Sequence, residues 1–228
     1  MKPVRRQDRD TQARLLKSAC EVFAEKGYRD ATIAEICERA NANIAAANYY
    51  FRDKGTLYIE AWRLSFQRSL ETYPADGNVS PDADVEERLR GRILSILWRI
   101  ADPESYEFDM LYKELVNPTG LLTEVIQETI EPIRRGLLNL MRELLGEKAS
   151  DLQVQLCQMS IRSQCFDLII RGRRKQPAEA RQQTFQSYPD LDVAKLADHI
   201  LRFSLAGIRE IRRQVETETV SVAVKHQI

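Results

Sequence analysis

Helical periodicity runs through almost the whole chain and leaves room for little else. Leu15, Leu16, Ala19, Cys20, Phe23 and Ala24 recur three and four residues apart, as one face of an amphipathic helix requires. The same spacing returns at Ile33, Ile36, Cys37 and Ala40, then at Leu57, Tyr58, Ala61, Trp62 and Leu64, and again at Leu89, Ile93, Ile96, Leu97 and Ile100. It predicts further helices over Met110–Val116, Leu121–Leu145, Val154–Ile170 and Val193–Ile211. Glycine and proline number only nine and eight among 228 residues, which excludes a many-turned β sandwich or a low-complexity chain. The fold class is therefore read as all-α.

Local signals place the ends of these helices. Asp10 or Thr11 can cap the first, and Gly27 marks its stop. Thr32 followed by Glu35 forms a capping box. Asn41 tolerates the left-handed backbone of a tight turn, and Asn43 can cap a two-turn helix from Ile44 to Phe51. Asp53 can cap the next helix, which runs towards Leu70. Pro74 to Pro81 is the clearest loop, and Asn117-Pro118 ends another helix. Pro132 is expected to interrupt or kink its helix. A polar stretch follows from Arg171 to Pro189, and the tail from Glu216 to Ile228 is read as frayed.

Composition removes several function classes. Basic and acidic side chains number 34 each, so the formal net charge is zero and a globally basic nucleic-acid coat is excluded. A local patch is not. Residues 1–55 hold eleven basic and eight acidic groups, an excess of three, with a matching deficit in the remainder. Cys20, Cys37, Cys157 and Cys165 form no CxxC pair, and His199 and His226 are the only histidines, so no metal site and no cofactor are expected. No run of about 18 apolar residues predicts a membrane span. The start leads into polar sequence, so a cytoplasmic protein with reduced thiols is expected. HExxH, GxSxG, Walker and GxGxxG patterns are all absent, which argues against an enzyme.

Chemistry concentrates between Thr32 and Lys54. Two short helices joined by an Asn-rich turn have the form of a helix-turn-helix, whose second helix enters the major groove. Ala47 and Phe51, four apart, can face the core. Ile44, Ala45 and Asn48 then point outwards, with Ala46 beside them at the helix start. Isoleucine and alanine suit thymine methyls and close approach, and Asn48 can pair with adenine through two hydrogen bonds. Tyr49 and Tyr50 offer hydroxyls to phosphate, although Tyr49 can equally serve packing. Lys54, at a helix start, and Thr32, at the start of the preceding helix, are further phosphate contacts, and Asn43 completes the set. The arm adds Lys2, Arg5, Arg6, Arg9 and Arg14. The bland alternative is a small aromatic core in an unrelated helical protein.

Residues from about 11 to 62 resemble the DNA-binding head of the TetR family of bacterial transcriptional regulators. The resemblance rests on Ala31-Thr32-Ile33-Ala34-Glu35-Ile36, on Ala40-Asn41-Ala42-Asn43, and on Asn48-Tyr49-Tyr50-Phe51-Arg52-Asp53-Lys54-Gly55-Thr56-Leu57. Asn43-Ile44-Ala45-Ala46-Ala47-Asn48-Tyr49 is similar to the CecR-type branch, with which Gln164-Cys165-Phe166 and Phe203-Ser204-Leu205-Ala206-Gly207-Ile208-Arg209 are compatible. Asn41 stands where the family usually has glycine, Tyr50 where it often has histidine, and Gly55 where it has an acidic residue. The operator therefore cannot be borrowed from a relative. The resemblance implies a homodimer that sets one recognition helix of each subunit in successive major grooves of a near-palindromic double-stranded DNA operator. It also implies a helix-turn-helix head over 1–55, and a helical ligand-binding and dimerisation domain over 56–228 whose last two long helices form the interface. Repressor and activator remain alternatives, as does a helical dimerising adaptor that binds no DNA.

The small-molecule effector is sought among residues that mix aromatic, polarizable and polar groups: Trp98, Phe108, Tyr112, Glu114, Met141, Gln164 and Phe166. Each can instead be plain core or surface. Cys157 and Cys165 can act as a thiol sensor or as inert packing. His199 is read as an interface residue, and Arg171-Gly172-Arg173-Arg174-Lys175 as a solvated helix end.

Overall fold

The computed structural model describes residues 6–172 and 192–225, with side-chain surroundings for 10–166 and 192–217. Among these residues it contains α-helices and no strand. They are α1 (Arg6–Asp30), α2 (Ile33–Arg39), α3 (Ile44–Phe51), α4 (Lys54–Thr72), α5 (Val85–Ala101), α6 (Glu107–Val116), α7 (Thr123–Leu145), α8 (Asp151–Gly172) and α9 (Val193–Lys225). Most of the polar stretch from Arg171 to Pro189 lies outside the described residues, as do arm residues Lys2 and Arg5 and the end of the tail.

The chain divides into two compact units. One comprises Met1–Thr72 and Asp102–Thr129, the other Tyr73–Ala101 and Ile130–Ile228. In the first, α1 packs against α2, α3, α4 and α6. Its periodic residues meet there: Leu15, Val22, Phe23, Ile36, Leu57, Tyr58 and Trp62 are fully buried. Each such side chain contributes about 1.5–3 kcal/mol when removed from water. Phe23 meets Tyr58 edge to face, with ring centres 4.8 Å apart, which fixes α1 against α4.

In the second unit α5 and α9 lie along each other and α8 packs on both. Leu89, Ile93 and Leu97 share a core with Leu140 and Met141 of α7, Val154, Cys157, Ile161 and Cys165 of α8, and Ala197, Ile200 and Ile208 of α9. The loop before α5 reaches that helix through two glycines. Gly77 takes φ 68°, and a Cβ on it would stand 2.4 Å from the Gly91 carbonyl oxygen. Only two residues without side chains let these backbones approach so closely.

Two boundaries differ from the sequence reading, and the helix carrying Pro132 is not interrupted there. The backbone turns out of helical geometry at Gly27 (φ 76°), but the helix resumes to Asp30. Pro132 lies inside α7 without ending it. The tail read as frayed continues α9 to Lys225. Local bonds sustain it: Arg212 pairs with Glu216 at 2.9 Å, and the Thr217 hydroxyl donates to the Arg213 carbonyl at 2.7 Å.

Candidate nucleic-acid interface

The exposed helix α3 is set by the caps on either side of its turn. Thr32 Oγ1 accepts from the Glu35 N–H at 3.1 Å and starts α2. Asn41 then adopts φ 47°, and Ala42 N–H donates back to the Cys37 carbonyl at 2.9 Å. Asn43 Oδ1 accepts from the Ala46 N–H at 2.7 Å and starts α3. Ala47 and Phe51 are buried, so the rotation of α3 is fixed by its two core contacts. Ile44 is 51% exposed and Tyr49 80% exposed, and Ala45 and Asn48 are exposed with them. Ala46 and Tyr50 are half-buried. The Tyr49 and Tyr50 rings meet edge to face, with centres 5.1 Å apart.

Charge around this helix is arranged by pairing. Arg39 forks onto Glu25 at 2.8 and 2.7 Å and reaches Glu35 at 2.9 Å, while Lys26 meets Glu35 at 2.6 Å. This four-residue network ties α2 to α1. The hydrogen bond from Arg39 holds the Glu25 carboxyl below its ordinary pKa, and the bond from Lys26 does the same for Glu35. Lys54 is engaged too. Its Nζ donates to the Arg29 carbonyl at 3.3 Å and lies 4.5 Å from the centre of the Tyr28 ring. Partial burial lowers its pKa from the ordinary lysine value. The start of α4 already holds an anion, because Asp53 Oδ1 accepts from the Thr56 N–H at 2.8 Å. Lys54 must therefore leave its carbonyl partner before it can meet a phosphate.

Three features escaped the sequence reading. Arg52 follows α3 directly, is exposed, and takes φ 62°. Its position beside the recognition helix was the available signal. Thr11 and Arg14 join Asn41, Asn43 and Ala46 around an open groove of about 520 Å³ beside the start of α3. A cavity of about 340 Å³ lies between α1, α4 and the segment before α6, lined by Lys17, Ser65, Arg68, Ser69, Ser105 and Tyr106 among others. It includes none of the seven residues chosen for the effector.

Those seven fall in both units. Phe108 is buried, and Tyr112 and Glu114 are half-buried, in the first. Glu114, otherwise read as an exposed acid, has its carboxylate occupied. It accepts from Thr119 N–H at 2.8 Å, Gly120 N–H at 2.9 Å, Thr119 Oγ1 at 2.9 Å and Tyr58 OH at 3.3 Å, and so closes the turn after α6. In the second unit Met141 is buried and Trp98 is 44% exposed. Gln164 donates to Ser204 Oγ at 3.3 Å, and Phe166 lies under the Arg162 guanidinium. Burial pushes the Cys20 and Cys165 thiols up to about 12 and raises Cys157 as well. His199 is exposed and stacks on Phe203.

Residues 15–61 match the family described as "Bacterial regulatory proteins, tetR family", and residues 85–208 match "HTH-type transcriptional dual regulator CecR, C-terminal domain". The chain belongs to the TetR family, in its CecR-type branch. It is similar to the HTH-type transcriptional regulator SrpR of Pseudomonas putida, at 22% identity over 75% of this chain and 79% of that one. It is 26% identical to the Bacillus subtilis protein named "Probable HTH-type transcriptional regulator YttP", over 51% of this chain and 56% of that one, so it spans little more than half the length of that relative. The fatty acid degradation regulator FadR of Bacillus halodurans shares the fold, with TM-score 0.63 and 18% identity over 87% of this chain and 96% of that one. These relatives are named as regulators, and this TetR-family chain is a DNA-binding transcriptional regulator. Among the described residues no helix is long and apolar enough to cross a membrane.

Proposed function

We propose that the protein is a repressor that binds a near-palindromic operator as a homodimer and is released by a small molecule. One observation carries the DNA reading: α3 exposes Ile44, Ala45, Asn48 and Tyr49 where a solvated helix would carry Lys and Glu. Thr32, Asn43, Ala46, Tyr50 and Lys54 frame it, and Arg52 and Arg14 join them as backbone contacts. Residues 1–55 read DNA in this account, and 56–228 dimerise and sense the effector.

Dimerisation is supported by an exposed apolar stripe on the long helices. Leu152, Leu156 and Met159 of α8 and Phe203 of α9 are 64%, 44%, 55% and 66% exposed. A two-fold pairing of these helices would cover the stripe, and a near-palindromic operator would require two copies of α3 about 34 Å apart, one helical turn of DNA. The description "dual regulator" attached to the matching C-terminal family favours a second reading, activation at some promoters by the same fold.

A gel shift with DNA from upstream of the gene tests the reading. Binding should be selective for one palindrome and weaken as salt rises. Equal affinity for unrelated DNA of the same length would overturn it.

A further inference from the structure

Helix α8 carries two donors that the described residues leave without an acceptor. Gln158 is buried, and its amide Nε2 has no hydrogen-bond partner. Four residues on, the Arg162 guanidinium is half-buried and lies 5.6 Å from the centre of the Phe166 ring. Among the described residues no carboxylate bridges it. The charged group that acts on it is another cation, Arg134 of α7, which is itself forked onto Glu131 at 2.7 and 2.9 Å. Burial first, and that like charge second, lower the Arg162 pKa.

Positions 158, 162 and 166 are spaced by four and share one face of α8. The other faces are committed elsewhere. Val154, Cys157, Ile161 and Cys165 enter the core, and Gln164 reaches Ser204 on α9. The exposed stripe of Leu152, Leu156 and Met159 lies roughly a quarter-turn away, at about 100° per residue. Gln158 and Arg162 thus lie between the core face and the stripe, while Phe166, one heptad beyond Met159, borders the stripe itself.

Buried donors without acceptors are rare because each gives up its water for nothing. A carboxylate answers both: its two oxygens accept from a guanidinium fork and have lone pairs left for an amide N–H. The Phe166 ring beside them offers apolar surface. We propose that Gln158, Arg162 and Phe166 form the anion-binding part of the effector site, and that the effector is a small organic carboxylate with an apolar or aromatic body. This rests on the proposed reading of residues 56–228 as effector-binding.

The test titrates 4-phenylbutyrate and octanoate, each beside its uncharged primary amide, into the full-length protein by calorimetry and thermal melting. Gel shifts with the operator run in parallel. The carboxylates should bind and raise the melting temperature, and the amides should bind at least tenfold more weakly. Arg162→Met should weaken the carboxylates tenfold or more while DNA binding stays intact. Gln158→Leu should weaken them several-fold and raise the melting temperature of the ligand-free protein, because it removes a buried orphan donor. Equal binding of acids and amides, no binding of any probe, or unchanged binding by a folded Arg162→Met variant would each overturn the proposal. Loss of the dimer in Arg162→Met would overturn it in favour of a partner subunit's carboxylate. Carboxylate binding that leaves the operator complex intact supports the site and sinks ligand release instead. Failure to bind DNA at all strikes the regulatory reading alone.

Discussion

Asn48 and Arg52 lie four residues apart at the end of the recognition helix, yet their removal should read differently. In the proposed reading Asn48 presents its amide to base edges, so Asn48→Ala should cost about 1–3 kcal/mol on the preferred operator and relax the base preference at one position. Arg52→Ala should weaken all DNA alike and reduce the salt slope by about one. Fluorescence anisotropy over a salt series, with matched and scrambled DNA, separates the two. The outward set of Ile44, Ala45 and Asn48 was legible in the sequence because Ala47 and Phe51, four apart, fix which side of α3 is buried. The engagement of Lys54 was not, since its partners Tyr28 and Arg29 come from another helix and only folding brings them near. The Tyr58 contact of Glu114 was hidden for the same reason, being 56 positions away in sequence, whereas its bonds to Thr119 and Gly120 are local. Thiols extend the argument. Cys20 is raised to about 12 by burial, above its ordinary 9.0. An unfolded chain ionises this thiol first, so folding stability should be constant below pH 9 and fall between pH 9 and 12. Ellman's reagent at pH 8 should leave Cys20 and Cys165 unreacted until the protein is denatured.

Elements are held by caps and close approaches more than by intrinsic propensity. Helix α3 is eight residues long, too short to persist alone in water. Asn43→Ala should cost about 1 kcal/mol of stability through the lost cap, and should lower operator affinity further because the same residue starts the reading helix. Gly77→Ala is the sharper change. It puts a side chain at φ 68° and 2.4 Å from a backbone oxygen, and should cost about 1–3 kcal/mol in urea unfolding without touching any DNA contact. Helix types and most helix centres followed from periodicity, because a stripe three and four residues apart survives into any core. The ends were harder. Gly27 carries the turn expected of a stop, but Asp30 still closes the helix, and α9 runs past the residues whose alternation looked extended. Side-chain pairs such as Arg212–Glu216 decide such ends, and they are weaker signals than a buried face.

At the scale of the whole molecule, two expected interfaces lie on different elements, and this makes them separable. Met159→Asp, placed in the exposed stripe of α8, should turn a dimer into a monomer by sedimentation and abolish tight binding to a palindrome while half-site contacts survive. Arg39 and Lys26, two of the eleven cations of residues 1–55, are matched by Glu25 and Glu35, and the eight acids of that segment leave it an excess of only three. A chromosome presents about 10⁶–10⁹ unrelated sites that compete for any regulator. A head with so small a net positive charge loses fewer copies to that background than a strongly basic one would. A cell could therefore keep its operator occupied with a small number of molecules, and could respond quickly when that number changes.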